Sequence, residues 1–399
     1  MSIRTPTAAI EKAAWVLLWI FVVSIPLEKA IMVPGVGTIS RLLGGGVFLT
    51  GLLTVLLRRT IRPLNLAFFL AAAFVAWSGL SYLWSLDPPE TQRRLITFSQ
   101  LLVMLWLIWE LCRGARRQLW LIGAYICGTA LASVDAIMRF LEGQETYYER
   151  YAASGFEPND FGVTVALSIP LGLYMATRTR GAVAWLFRAF VALALCAVCL
   201  TVSRTALIAT VIAFSFVAVT WRQSTNTQRI AGVVLALLLI PGMRFLTPQP
   251  ARQRIAETTT EITQVTLHGR TAIWKSGLRA YRTHILAGVG SGAYPEAVRP
   301  WIGTHPVAAS RYVAHNTFLS VLVETGLVGF GIYALLLGVL ALYIWMMPTL
   351  ERALWAVMTV VWAAGVSTLT WEHRKPVWLF FGLIMTEWVR SFWPSDDSA

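Results

Sequence analysis

A succession of apolar stretches, each about as long as a bilayer is thick, constrains this chain more than any other feature. A helix rises about 1.5 Å per residue, so roughly 20 apolar residues cross the hydrocarbon core. Twelve such stretches lie near 13–33, 36–57, 64–84, 95–112, 118–140, 162–177, 182–201, 205–221, 229–246, 327–347, 353–370 and 377–393. Composition agrees. The 399 residues are 57% hydrophobic and only 13% charged, against about 25% charged in ordinary soluble domains. Water has no way to solvate so much apolar surface, whereas lipid does. The expected fold is therefore all-α: a polytopic integral membrane protein of about 12 transmembrane helices, read as a single membrane domain over 1–399.

Charge placement orients the spans. Arg58, Arg59 and Arg62, then Arg113, Arg116 and Arg117, then Arg178 and Arg180, then Arg222 and Arg229 fall in alternate short loops. Short loops rich in Arg and Lys stay on the cytoplasmic side. Twelve spans then place both termini in the cytoplasm, consistent with Arg4, Lys12 and Arg390. The first apolar run, after Lys12, lacks a small-residue cleavage site and reads as a signal anchor. The net charge of +13 is thereby explained by topology, without nucleic acid as a partner. Cys112, Cys127, Cys196 and Cys199 all sit in or beside apolar runs and read as small packing residues.

The opposite side holds the groups capable of chemistry. All five histidines (His268, His284, His305, His315 and His373) fall there. So does a long polar segment, 247–313, with eight basic side chains against three acidic ones. It reads either as a solvated basic loop against anionic headgroups or as a surface for a phosphorylated substrate. Within it, GRTAIWKSGLRAYRTH predicts an amphipathic helix whose apolar stripe is Trp274, Leu278 and Tyr281. Arg270, four residues before Trp274, shares that stripe and needs a partner on the packed side; a diphosphate suits its planar fork. Arg204 opens a span in TVSRTALIAT, fitting either an arginine snorkelling to headgroups or an anion clamp at a helix start. His315 opens AHNTFLSVLVETGLVG, ahead of Phe318, Leu319 and Leu322 at helical spacing, and fits either a structural role or a general base. No metal-binding spacing and no nucleotide motif is visible, so no cofactor is implied. GVGSG at 288–292 reads as a turn with close backbone approach.

The order SRTALI, GRTAIW, HILAGVGSGAY and AHNTFLSVLVETGLVG resembles the signature of the O-antigen ligase and polymerase superfamily of membrane glycosyltransferases, with the O-antigen ligases nearest in size and plan. GFEPND at 155–160 and WEHRKPVW at 371–378 are similar to outer segments of that family. The resemblance implies a bacterial inner-membrane enzyme whose active site, with loop 247–313, faces the periplasm. Its donor would be O-antigen on undecaprenyl diphosphate, its acceptor a sugar hydroxyl of lipid A–core, and its product lipopolysaccharide. Transfer would be inverting and metal-independent. Arg204 and Arg270 would hold the diphosphate and His315 would deprotonate the acceptor. Arg374 and Lys375 would extend the phosphate site, with Arg93 and Arg94 as a weaker alternative. Asn316 would orient His315 or a sugar, and Asn159 and Tyr294 would complete the substrate-binding set. Thr205 departs from the glycine that many relatives carry after the arginine. The rivals are a polymerase with a lipid-linked acceptor and a transporter of lipid-linked sugars, whose repeated halves this chain lacks.

Overall fold

The computed structural model of the protein describes residues 6–33, 35, 37–146, 150–246, 266–302 and 312–392. Of the predicted polar segment 247–313, residues 247–265 and 303–311 fall outside the described residues, and with them Arg252, Arg254, His305 and Arg311.

The fold is all-α. The helices are α1 (Pro6–Ser24), α2 (Ile39–Arg58), α3 (Leu66–Leu80), α4 (Pro88–Leu111), α5 (Ala115–Leu141), α6 (Pro158–Arg178), α7 (Gly181–Thr201), α8 (Arg204–Val219) and α9 (Asn226–Leu246). They continue as α10 (Thr266–Thr283), α11 (Tyr294–Ile302), α12 (Thr317–Met346), α13 (Thr349–Val366) and α14 (Lys375–Phe392). The only strands among the described residues form a small antiparallel hairpin, Met32–Val33 with Gly37–Thr38. Among the described residues, nine helices (α1 to α7, α12 and α13) are long and apolar enough to cross a membrane. The remaining predicted spans are also helical. α8 is a shorter apolar helix of 16 residues, and α9 and α14 cover the stretches expected near 229–246 and 377–393.

Helix starts follow from local chemistry. Asn65, Asp87, Glu157, Ser203 and Asn316 each accept a backbone N–H of the turn they cap, and Pro88 and Pro158 occupy first-turn positions where no N–H is needed. α6 is the hub. It is buried along nearly its whole length and packs on α5, α7, α8 and α13. Small residues allow this. A Cβ on Gly162 would lie 2.5 Å from Ala206 of α8, and one on Gly365 of α13 would lie 2.5 Å from Val163.

Polar contacts sort into two ends. At one, Arg117 bonds Glu11 at 2.8 Å, the Arg62 backbone N–H donates to Glu110 at 2.7 Å, and Arg178 pairs with Glu351. The other end gathers the turns after α1, α3, α5, α7 and α13.

At that second end α12 is broken. Gly326 has φ 67° and ψ −170°, so Thr317–Thr325 is a separate half-helix ahead of the stretch predicted to span from 327. The GVGSG turn fills the break. Val289 N–H donates to Val323 O at 3.0 Å, Gly290 N–H to Glu324 O at 2.9 Å, and Trp77 Nε1–H to Thr325 O at 2.8 Å. Carbonyls that lost their helical partners are thereby satisfied inside protein, as the low-dielectric surroundings demand.

Candidate active site

Three separate segments deliver Arg204, Arg270 and His315. Arg204 is the first residue of α8. Ser203 before it accepts from Ala206 N–H at 3.3 Å and donates to Asn159 Oδ1 at 2.8 Å. Asn159 also accepts from Arg150 Nη2 at 2.7 Å and donates to Glu157 Oε1 at 2.6 Å. The GFEPND motif thus clasps the start of α8 and fixes the direction in which Arg204 leaves it. Thr205, the departure from the family pattern, has a role of its own: its hydroxyl bonds Thr368 at 2.8 Å, tying α8 to the turn before α14.

Arg270 comes from α10. Trp274, one turn on, donates its Nε1–H to Ala314 O at 2.7 Å. Residues four apart share a helix face, so this bond draws Arg270 towards His315, the neighbour of Ala314. The predicted stripe of α10 is corrected in one respect. Leu278 is exposed, and the packed face centres on Ser276, Gly277 and Ala280. The cause is α11: Tyr294 lies so close that a Cβ on Gly277 would sit 2.3 Å from its hydroxyl.

His315 is half-buried with φ +45°, a left-handed value uncommon outside glycine. Such strain persists where the surroundings dictate it. Here Trp274 holds the residue before, and Asn316 after it caps α12 through Leu319 N–H at 3.0 Å and donates to Ser367 O at 3.3 Å. Burial first, and the Arg270 charge second, push the imidazole below its usual range, while Asp160 pulls the other way. Arg270 in turn loses basicity through burial, is supported by Glu157, and is opposed by Arg204. These mutual influences put the two arginines, the histidine, Glu157 and Asp160 in one electrostatic neighbourhood.

Partnerships separate these groups from their neighbours. Among the described residues, Arg204, Arg270 and His315 have no hydrogen-bond or ion-pair partner. The other described histidine side chains are engaged. His284 Nδ1 bonds Thr283 Oγ1 at 2.9 Å. His373 accepts from Arg94 and contacts Glu372, and burial beside Arg94 pushes it down to about 4.

The remaining sequence-derived residues divide. Arg374 Nη2 bonds Asp160 Oδ2 at 2.6 Å, and Lys375 pairs with Glu28, so both stand beside the cluster but already hold carboxylates. Arg94 is committed to Glu372 at 2.8 Å, and Arg93 lies exposed against Glu90 at 2.8 Å. Tyr294 spends its hydroxyl on Ile273 O at 3.0 Å. Sequence reasoning passed over Asp160, Lys29 and Trp371. Asp160 accepts from Lys29 at 3.3 Å, from Arg374, and from Trp371 Nε1–H at 2.9 Å. The available signal was an aspartate at the head of an otherwise apolar span, costly unless it has work to do.

Residues 189–334 match the family described as O-antigen ligase. That stretch is just over a third of the chain and contains Arg204, Arg270 and His315. The chain is also similar to the exopolysaccharide production protein ExoQ of Rhizobium meliloti (strain 1021), at 41% identity over 69 residues, which is 16% of each chain. The chain thus aligns with only a small part of that relative's length.

Proposed function

We propose that this protein is a membrane glycosyltransferase of the O-antigen ligase and polymerase type, acting on lipid-linked glycans. The observation that carries the reading is that three segments converge to leave two arginines and a histidine unpartnered among the described residues, where the neighbouring Lys29, Arg94, Arg374 and Lys375 each hold an anion. The matched stretch 189–334 contains all three groups.

In this reading Arg204 and Arg270 hold the diphosphate of undecaprenyl-diphosphate-linked O-antigen. His315, kept neutral by burial and by Arg270, takes the proton from a sugar hydroxyl of lipid A–core. The freed oxygen attacks the anomeric carbon from the face opposite the diphosphate and inverts it. The carbon–oxygen bond to the diphosphate breaks, and the electron pair leaves onto phosphate oxygens that the arginines stabilise. The proton remains on His315 until solvent or the departing diphosphate removes it. Protein side chains supply every role in this scheme, so turnover in excess chelator is expected. The site faces the periplasm, because the Arg-rich short loops gather at the opposite end of the bundle. Membrane lipids surround the whole, and residues 266–302 of the predicted polar segment lie on the same side as the site.

Similarity to a protein named for exopolysaccharide production favours a second reading, a polymerase that extends lipid-linked glycan. One experiment separates them. Purified protein is given lipid-linked O-antigen and rough lipid A–core, with His315→Ala alongside. A ladder on the core from wild type alone supports the ligase, and longer lipid-linked glycan with untouched core supports the polymerase. No product from folded protein with a matched acceptor overturns both.

A further inference from the structure

A deep cavity lies beside the cluster. It has a volume of about 540 Å³ and runs between α1, α2 and α4 beneath the turn that precedes α14. Its two ends differ. The mouth is lined by Lys29, Arg41, Arg374 and Lys375 with Glu28. The interior is lined by Leu18, Phe21, Val47, Met104 and Leu107. Along α4 the lining extends from Thr97 to Leu107, about 15 Å at the helical rise, or half the hydrocarbon thickness. The floor is the crossing of α2 and α4, where a Cβ on Gly51 would sit 2.5 Å from Leu107.

Two observations indicate that the mouth is built to receive something. Arg374 Nε and Thr38 Oγ1 are both buried there, and among the described residues neither has a hydrogen-bond partner. Buried polar atoms left unsatisfied are costly, and a phosphate oxygen removes the cost. Arg41 likewise has no ion pair among the described residues. The mouth adjoins the candidate site through one side chain, since Lys29 and Arg374 share Asp160, whose charge also acts on His315.

We infer that this groove seats the polyprenyl chain of the lipid diphosphate donor, with a phosphate oxygen at Arg374, Thr38 and Arg41 and the first isoprene units between α2 and α4. The inference rests on the donor assigned above and adds where its tail runs. It gives the chain a path from bilayer mid-depth to the reacting bond.

Gly45 lines the groove on α2, and a Cβ there would meet nothing within 4 Å. A tryptophan at 45 therefore occupies the path while improving helix propensity. The test is photolabelling in nanodiscs with undecaprenyl diphosphate carrying a diazirine near the head end of its chain. This readout needs no turnover, so it stands apart from any failure of the transferase reading. Labelled peptides containing 18–21, 44–48 or 97–107 are expected, with competition by unlabelled undecaprenyl diphosphate but not by phosphatidylglycerol. Gly45→Trp should cut that labelling by roughly tenfold or more. Labelling confined to other helices overturns the inference, as does equal competition by phosphatidylglycerol. So does undiminished labelling in Gly45→Trp and in the milder Gly45→Leu, each checked for wild-type thermal stability.

Discussion

Replacing Gly326 by alanine tests whether the break in α12 is held by the GVGSG turn. Gly326 occupies a backbone region essentially restricted to glycine, at φ 67° and ψ −170°. Any other residue there costs about 1–3 kcal/mol. The new Cβ would also lie 2.3 Å from Leu286 O and 2.5 Å from Gly288 N, both backbone atoms with little freedom to retreat. Pushing packed backbone apart adds about 1–3 kcal/mol. The combined cost is about 2–6 kcal/mol, borne by the contact between residues 285–292 and 323–328. Hydrogen exchange in nanodiscs reads it directly. The amides of Val289 and Gly290, which bond Val323 and Glu324, should exchange at least about thirtyfold faster, since 1.4 kcal/mol is tenfold. Gly331→Ala, in the same helix with open space around it, should be neutral or stabilising by up to about 1 kcal/mol. Unchanged exchange at Val289 and Gly290 in Gly326→Ala would refute the reasoning.

Further expectations concern the site. His315→Gln should lower transfer by about 10²-fold while leaving the thermal transition in place, measured by single-turnover assay; near-normal turnover would remove it as the base. Arg204→Ala and Arg270→Ala should each lower kcat by about 10²–10³-fold, as expected for a lost donor to a developing oxyanion, and substantial activity in either would exclude that residue from the clamp. The base must be neutral, so activity falls as pH drops through the His315 pKa. Arg270→Gln removes a charge that depresses that pKa, so the acid limb of the pH–rate profile should move to higher pH; Asp160→Asn removes the opposing charge and should move it to lower pH. Shifts of the same sign in both variants would contradict the electrostatic neighbourhood. Asp160→Asn should also destabilise the protein by about 1–3 kcal/mol, below the range for a fully buried pair because Lys29 and Arg374 are partly exposed; an unshifted unfolding transition would contradict this.

Much of the architecture is legible in sequence because hydropathy acts over whole windows. A run such as Gly181–Thr201 has no stable alternative to a helix in lipid. Arg204, Arg270 and His315 were legible for a different reason: each is a polar residue at the junction of an apolar segment, where its cost demands a purpose. The broken helix was less visible. Gly326 sits in a continuous apolar run, and its role depends on Gly288, 38 residues away, whose backbone N would lie 2.5 Å from a Cβ placed at 326. Asp160 was hidden similarly, because its partners Lys29, Trp371 and Arg374 come from opposite ends of the chain. Leu278 was misassigned because helical periodicity identifies an apolar side without showing which neighbour covers it. Tyr294 covers the adjacent small residues instead.

The turn between α13 and α14 bears on how the protein is made. Thr368 braces the start of α8, Ser367 and Leu369 receive Asn316 and Thr317 of α12, and Trp371 and Arg374 anchor Asp160 of α6. All of these bonds depend on residues translated after the helices they brace. A nascent chain that has already threaded its earlier spans, with both arginines and the histidine translated, still lacks the clasp that sets them against one another. The clasp around the proposed site therefore forms only once Ser367 to Arg374 have been made, and chains abandoned upstream of Ser367 lack it.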